Sequence, residues 1–277
     1  MKHIRIERDG GIGLLTIARR ERFNSMDVET AQDFRRAGLE LARDREVRVV
    51  VLRGDGGVFS SGADLKYIRA GGDGDVEYLR GEAGQGDAGY GRVFKQILEY
   101  IHSTISEIRR APKPFVAAVD GAAAAGGLGI AMACDLVLAS ERATFEWAYF
   151  KTGLTGAEST TFLLPRLVGL RKAMELVLLG ARLDARQALE VGLVNRVFPV
   201  DRFDEDVLDV ARALAALPAG AVAVAKGLLN QAAGMDRLDV HLDQELVQLA
   251  RIADGADFAE GLAAFFDRRP PRFAGGS

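Results

Sequence analysis

Within the segment Lys113 to Asp135, Gly126 and Gly127 stand in a small-residue stretch between an apolar run that begins at Phe115 and another from about Leu128 to Cys134. The pattern reads as a buried strand, a small-residue turn and an apolar helix. Glycines at such a junction let another group approach the backbone closely, and the first N–H groups of the helix have no intrahelical partner. With the positive end of the helix dipole behind them, those N–H groups suit a developing oxyanion. A tight turn that serves only packing would carry the same glycines. Other chemistries are excluded more directly. The single cysteine, Cys134, rules out an internal disulfide and any cysteine-rich metal site, and its apolar neighbours mark it as a core residue. The three histidines, His3, His102 and His241, lie far apart, so no metal site is expected.

The elements that must position this turn belong to a chain of 277 residues, enough for one large domain or one domain with an appendage. Charged residues make up 27% and the net charge is -3, which gives no electrostatic case for a nucleic-acid partner. No stretch reaches the length of a membrane span, and Lys2 and Arg5 put charges where a signal peptide needs an apolar run. A cytoplasmic protein without membrane contact is expected.

Ile4 to Arg8 and Ile12 to Ile17 read as an opening hairpin, followed by a helix from about Asp27 to Asp44. Val47 to Leu52 is a β-branched run best read as a buried strand. Residues Ala70 to Gly91 hold eight glycines among 22 positions, a composition that fits a loop beside a cleft and a plain disordered connection equally. A helix from about Val93 to Arg110 carries Phe94, Ile97, Ile101, Ile105 and Ile108 on one face, with His102 beside that stripe. Leu136 to Ser140 is a strand, Thr160 to Leu167 and Arg171 to Leu178 are helices, and Asp184 caps a helix that Gly192 stops. Strands alternating with helices predict an α/β fold with a largely parallel sheet. From Asp201 the pattern is wholly helical, which places a boundary near residue 200 between a core, 1–200, and a helical region, 201–277.

Several segments together resemble the crotonase, or enoyl-CoA hydratase/isomerase, superfamily. They are Arg22 to Met26, Phe59 to Leu65, Lys113 to Asp135, Pro165 to Gly169, Ala185 to Val194 and Phe266 to Phe273, in that order along nearly the whole chain. The resemblance implies a spiral of ββα units, with the helices after residue 200 forming an oligomerisation layer that builds a homotrimer or a dimer of trimers. It also implies an acyl-CoA thioester substrate and no separate cofactor, CoA being part of the substrate. By resemblance the oxyanion donors are the backbone N–H groups of Ala63 and Gly126. CoA contacts are implied at Arg22, Ser61, Asp64, Leu65 and Lys66, with the tail arginines Arg268, Arg269 and Arg272 available to a neighbouring subunit's CoA.

The chain departs from the hydratase pattern where that family places its two catalytic glutamates: the first position is Gly129 and the second is Tyr149. Hydration by the usual two-carboxylate route does not carry over. Some superfamily members, including dienoyl-CoA isomerases and 4-chlorobenzoyl-CoA dehalogenase, carry an acidic residue in the segment that runs here from Gly153 to Thr161. Glu158 is its only carboxylate, which makes it the candidate acid/base; a carboxylate at a helix start is also favoured by the dipole alone. The dehalogenase branch is similar around Phe145 to Gly169. There His102 falls at that branch's base histidine, Tyr149 at its active-site tryptophan and Ala157 at its nucleophilic aspartate. Phe145, Trp147, Tyr149 and Phe150 are read either as the walls of an acyl pocket or as core. The resulting reading is an acyl-CoA enzyme that stabilises a thioester enolate, with Glu158, His102 and Tyr149 as its catalytic set. The alternatives are an acyl-CoA or aryl-CoA hydrolase or dehalogenase, and a non-catalytic acyl-CoA-binding member.

Overall fold

The computed structural model describes residues 1–72 and 89–274. Most of the glycine-rich stretch, residues 73–88, lies outside the described residues. In chain order the elements begin with Ile4–Asp9 (β1), Ile12–Ile17 (β2), Val28–Arg43 (α1), Val49–Gly54 (β3), Val58–Ser60 (β4) and Leu65–Arg69 (α2). Tyr90–Arg110 (α3), Phe115–Val119 (β5), Ala122–Ala124 (β6), Gly126–Ala133 (α4), Leu136–Ser140 (β7) and Thr144–Glu146 (β8) follow. After a 3₁₀ turn at Ala148–Thr152 come Thr160–Val168 (α5), Leu170–Leu178 (α6), Arg182–Asp184 (β9), Ala185–Glu190 (α7) and Arg196–Phe198 (β10). Phe203–Ala215 (α8), Ala219–Ala232 (α9), Leu238–Ala253 (α10) and Ala256–Asp267 (α11) complete the chain.

β1 and β2 pair antiparallel, and β2 then leads a parallel run in a six-stranded sheet of order β1-β2-β3-β5-β7-β10. A second sheet of order β4-β6-β8-β9 is parallel except for β9. Three successive pairs, β3/β4, β5/β6 and β7/β8, send their first strand to the large sheet and their second to the small one. A helix follows each pair, α2, α4 and α5, which is the ββα repeat expected from the resemblance. One face of the large sheet packs on α8, where Phe203, Val207 and Ala211 meet Ile12, Val49, Val51, Val116 and Leu138. The opposite face shares a larger core with α1 and α3, which also takes in Leu238, Leu242, Leu249, Phe258 and Leu262 from beyond residue 200.

The small sheet is what the amino-acid pattern did not announce. Its strands are three residues long, too short for a period of two to register, and Ala122–Ala124 reads as part of a small-residue turn. In the structure Ala123 pairs with Ser60 on one side and Phe145 on the other. The alanines keep the layer thin, so that α4 can follow directly.

One buried side chain ties the first turns to this frame. The Arg19 guanidinium donates to Asp27 at 2.5 Å, to Asp64 at 2.9 Å and to the Ser25 carbonyl at 2.9 Å. Asp27 caps α1 through the Thr30 N–H, and Asp64 caps α2 through the Lys66 and Tyr67 N–H groups. A single cation therefore neutralises the N-caps of two helices and holds the loop between them. Arg22 adds a second guanidinium to Asp64, and the two arginines, with the N–H of Tyr67, draw its carboxyl below the usual range against its burial. Arg19→Ala would leave the buried Asp27 without its cation and Asp64 with Arg22 alone, and we expect a loss of about 3–5 kcal/mol in a denaturant titration.

Candidate active site

β4, β6 and β8 run side by side and parallel, so their C-terminal ends open onto one place. The end of β4 leads through Ser61-Gly62 to Ala63, the end of β6 through Ala125 to Gly126, and the end of β8 through Trp147 to Tyr149. Gly62 sits at φ +86°, and a Cβ there would lie 2.8 Å from the Gly126 nitrogen, so only glycine allows the first two loops to come this close. Met26 donates to the Gly62 carbonyl and accepts from the Asp64 N–H, each at 2.8 Å, which fixes the loop on either side of Ala63. The Ala63 N–H has no acceptor among the described residues. That of Gly126 heads α4, where no intrahelical partner exists.

These loops line a cleft of about 440 Å³ that also contains Arg22, Ser61, Asp64, Leu65, Lys66, Tyr149 and Glu158. All five residues assigned to CoA by resemblance thus meet the two oxyanion candidates in one cavity. Within it Asp64 is committed to Arg19 and Arg22, whereas Lys66 is exposed. The tail arginines are placed otherwise: Arg269 pairs with Glu260 on α11, whose carboxyl is held down at about 2 by that guanidinium, and none of the three lines the cleft.

Glu158 is 2% exposed and stands against the start of α4. A Cβ on Gly126 would lie 2.7 Å from its Oε1, and a Cβ on Gly129 would run into its carbonyl oxygen and stand 2.8 Å from its Cβ. The missing hydratase glutamate is explained by this contact: the space a side chain at 129 would need is filled by the backbone of Glu158. The Tyr149 hydroxyl reaches Glu158 Oε2 at 2.5 Å and the Ala157 carbonyl at 3.1 Å, and one proton can serve only one of them at a time. Burial raises the Glu158 carboxyl to about 7; the Tyr149 hydrogen bond opposes that rise and the charge of Glu245 adds to it. Tyr149 itself is pushed well above the ordinary phenol range by burial and by the neighbouring Glu158 charge, so it stays a donor.

His102 is brought to Glu158 but not to the cleft. Its Nε2 accepts the Glu158 backbone N–H at 3.1 Å, which places the ring proton on Nδ1, toward the backbone of Leu242. Burial pushes the imidazole down to about 3, so the ring is neutral and its free lone pair is already used. Phe145 and Trp147 pack into the core, and Phe150 is exposed against Trp147, leaving Tyr149 as the aromatic of that group whose polar end reaches the acid. Cys134 is buried and burial raises its thiol, as expected of a core residue.

Sequence reasoning missed most of the apolar wall. Phe94 comes from α3, Leu154 from the loop before α5, Leu249 from α10, and Phe265 and Phe266 from α11. It also missed Glu245, although a signal existed. On α10 the buried positions Leu238, Leu242, Glu245, Leu249 and Ala253 follow helical spacing, and one of them is a carboxylate. Among the described residues no group of His, Cys, Asp or Glu is arranged to hold a metal ion, and no single helix is long and apolar enough to cross a membrane. Because a methyl at 129 meets backbone, Gly129→Ala should displace the Glu158 turn; we expect at least a tenfold loss of activity, together with a lowered melting temperature in calorimetry.

The enoyl-CoA hydratase/isomerase family model matches residues 7–276. The chain is 32% identical to 4-chlorobenzoyl coenzyme A dehalogenase-2 from an Arthrobacter species over 263 residues, covering 95% of this chain and 90% of that one. It is 34% identical to a putative enoyl-CoA hydratase from Thermus thermophilus over 265 residues, covering 95% and 98%. The crystal structure of an enoyl-CoA hydratase from Mycobacterium avium subsp. paratuberculosis superposes with a TM-score of 0.84 at 34% identity over 98% of each chain. With the ββα repeat and the converging strand ends, these likenesses establish that the chain is an enzyme of the enoyl-CoA hydratase/isomerase family, in the crotonase superfamily.

Proposed function

We propose that the protein moves a proton on an acyl-CoA thioester through Glu158 while the N–H groups of Ala63 and Gly126 stabilise the enolate oxygen. The observation that carries this reading is the placement of Glu158. Of the carboxylates lining the cleft among the described residues, Asp64 is bound to two arginines and Glu21 is exposed, whereas Glu158 is buried against Gly126. A carboxyl near 7 is poised to accept and return a proton at neutral pH. One such group completes a double-bond shift alone: it takes the proton from one carbon, leaving the enolate, and returns it to another. No cofactor enters this scheme. Tyr149 supports the charged form of Glu158 by donating to it, and His102 holds its backbone.

Arg22, Ser61, Asp64, Leu65 and Lys66 would line the CoA arm, and the apolar residues Phe94, Leu154 and Leu249 would receive the acyl end. Hydrolytic dehalogenation of an aryl-CoA is a second reading, supported by the likeness to the Arthrobacter dehalogenase. It is weakened at the nucleophile: Ala157, at that branch's aspartate position, is fully buried and offers its carbonyl to Tyr149. A trimer, or a dimer of trimers, is supported by exposed apolar side chains, Val224, Leu228 and Leu229 on α9 and Leu170, Met174 and Leu178 on α6.

With a panel of enoyl- and dienoyl-CoA esters, Glu158→Gln should lower kcat by about 10²- to 10⁴-fold with little change in KM. Full activity in that variant would remove Glu158 from the mechanism, and halide released from 4-chlorobenzoyl-CoA would favour the second reading. The base form appears as pH rises through about 7, so kcat/KM for proton abstraction should climb with pH to a plateau above that midpoint. Stability should run the other way. A carboxyl raised from 4.5 to about 7 in the folded state binds more protons than the unfolded chain between those values, so stability is lost as pH rises through that window. Glu158→Gln should therefore melt higher than the parent at pH 8 and nearly equal to it at pH 4.5. Multi-angle light scattering should return three or six times the 29.8 kDa of one chain.

A further inference from the structure

Two consecutive residues ahead of α5, Glu158 at φ 51° and Ser159 at φ 65°, are left-handed although neither is glycine. L side chains enter that region only when neighbours hold them there. Ser159 occupies the N-cap of α5 yet makes no side-chain cap hydrogen bond, and the buried hydroxyls of Ser159 and Thr160 have no partner among the described residues. The turn is held from outside instead. On one side His102 of α3 accepts the Glu158 N–H. On the other, Glu245 of α10 accepts the Ser159 N–H at 2.8 Å with Oε2 and the Thr161 N–H at 2.9 Å with Oε1, which also takes the Thr161 hydroxyl at 2.5 Å. Glu245 is 4% exposed on an otherwise apolar stripe, so these donors oppose the cost of burying its carboxylate.

We propose that Glu245 is a positioning residue for the proton transfer: from a helix 86 residues away it supplies the cap that Ser159 does not, holds the Glu158–Ser159 turn left-handed and so aims the Glu158 carboxylate at Gly126. If the turn relaxed to negative φ, the Glu158 Cβ would leave its seat against Gly129 and the carboxylate would move with it. This inference rests on Glu158 as the acid/base.

The test compares the parent protein, E245Q, S159G, S159G/E245Q and E158Q. Proton transfer is read as deuterium entering butyryl-CoA from heavy water, and the turn is read by amide hydrogen exchange over residues 155–165. In E245Q we expect the turn amides to exchange at least tenfold faster and kcat to fall by about 10- to 100-fold, with KM within about twofold. Glycine takes positive φ without outside support, so S159G/E245Q should return to within about threefold of the kcat of S159G. Parent kcat and exchange in E245Q would overturn the proposal. A kcat loss that S159G does not relieve would also overturn it, because Glu245 would then act through charge or folding and not through the turn. Turnover retained in E158Q would defeat the acid/base assignment alone, and amide exchange in E245Q would still decide whether Glu245 holds the turn.

Discussion

Glu158 lies so close to α4 that neither Gly126, which faces its carboxylate, nor Gly129, which faces its backbone, has room for a Cβ, and most of the site's geometry follows from that contact. Close packing allows one occupant for the space. Where the hydratase pattern has a glutamate projecting from the helix, this chain has glycine, and a carboxylate enters from the neighbouring turn. The carboxylate at this place comes from a different segment, and α4 contributes only backbone there. The same absence of side chains that admits Glu158 leaves the Gly126 N–H open at the head of the helix.

Three parallel strand ends converge on that helix start, and each contributes through a different part of the residue. β4 and β6 deliver backbone donors, which tolerate changes of side chain as long as the glycines at 62 and 126 keep the loops close. β8 delivers Tyr149, whose hydroxyl meets the acid. Arg19 holds the first of these loops by neutralising two N-cap aspartates at once. The helices after residue 200 also reach the cleft: Leu249, Phe265 and Phe266 form part of its wall.

The site keeps two carboxylates out of water in unlike ways. Glu245 receives two backbone N–H groups and a hydroxyl, which oppose burial without overcoming it, so its carboxyl too is raised above the usual range. Glu158 receives one phenol, which does not offset burial, and its carboxyl rises to about 7. A buried carboxyl raised to about 7 is a stability cost as pH rises through that value.

What the sequence determined by itself is local. The strand-turn-helix at Gly126, the large-sheet strands and the long helices were legible because hydrophobic period and glycine placement act over a few residues. The family motifs added Ala63 and the CoA contacts by resemblance, and Glu158 stood out as the one carboxylate of its segment. The small sheet was not legible, since three-residue strands show no period. Nor was the role of His102: a histidine beside an apolar stripe looks the same whether it moves a proton or accepts a backbone N–H. Only the tertiary structure decided that Glu158 fills the place denied to residue 129, that its carboxyl is buried enough to titrate near 7, and that Glu245 grips its turn. The physical reason is common to all three. Burial and hydrogen bonds to backbone N–H groups depend on which distant segments meet, and a backbone donor carries no side-chain signature by which its partner could be read.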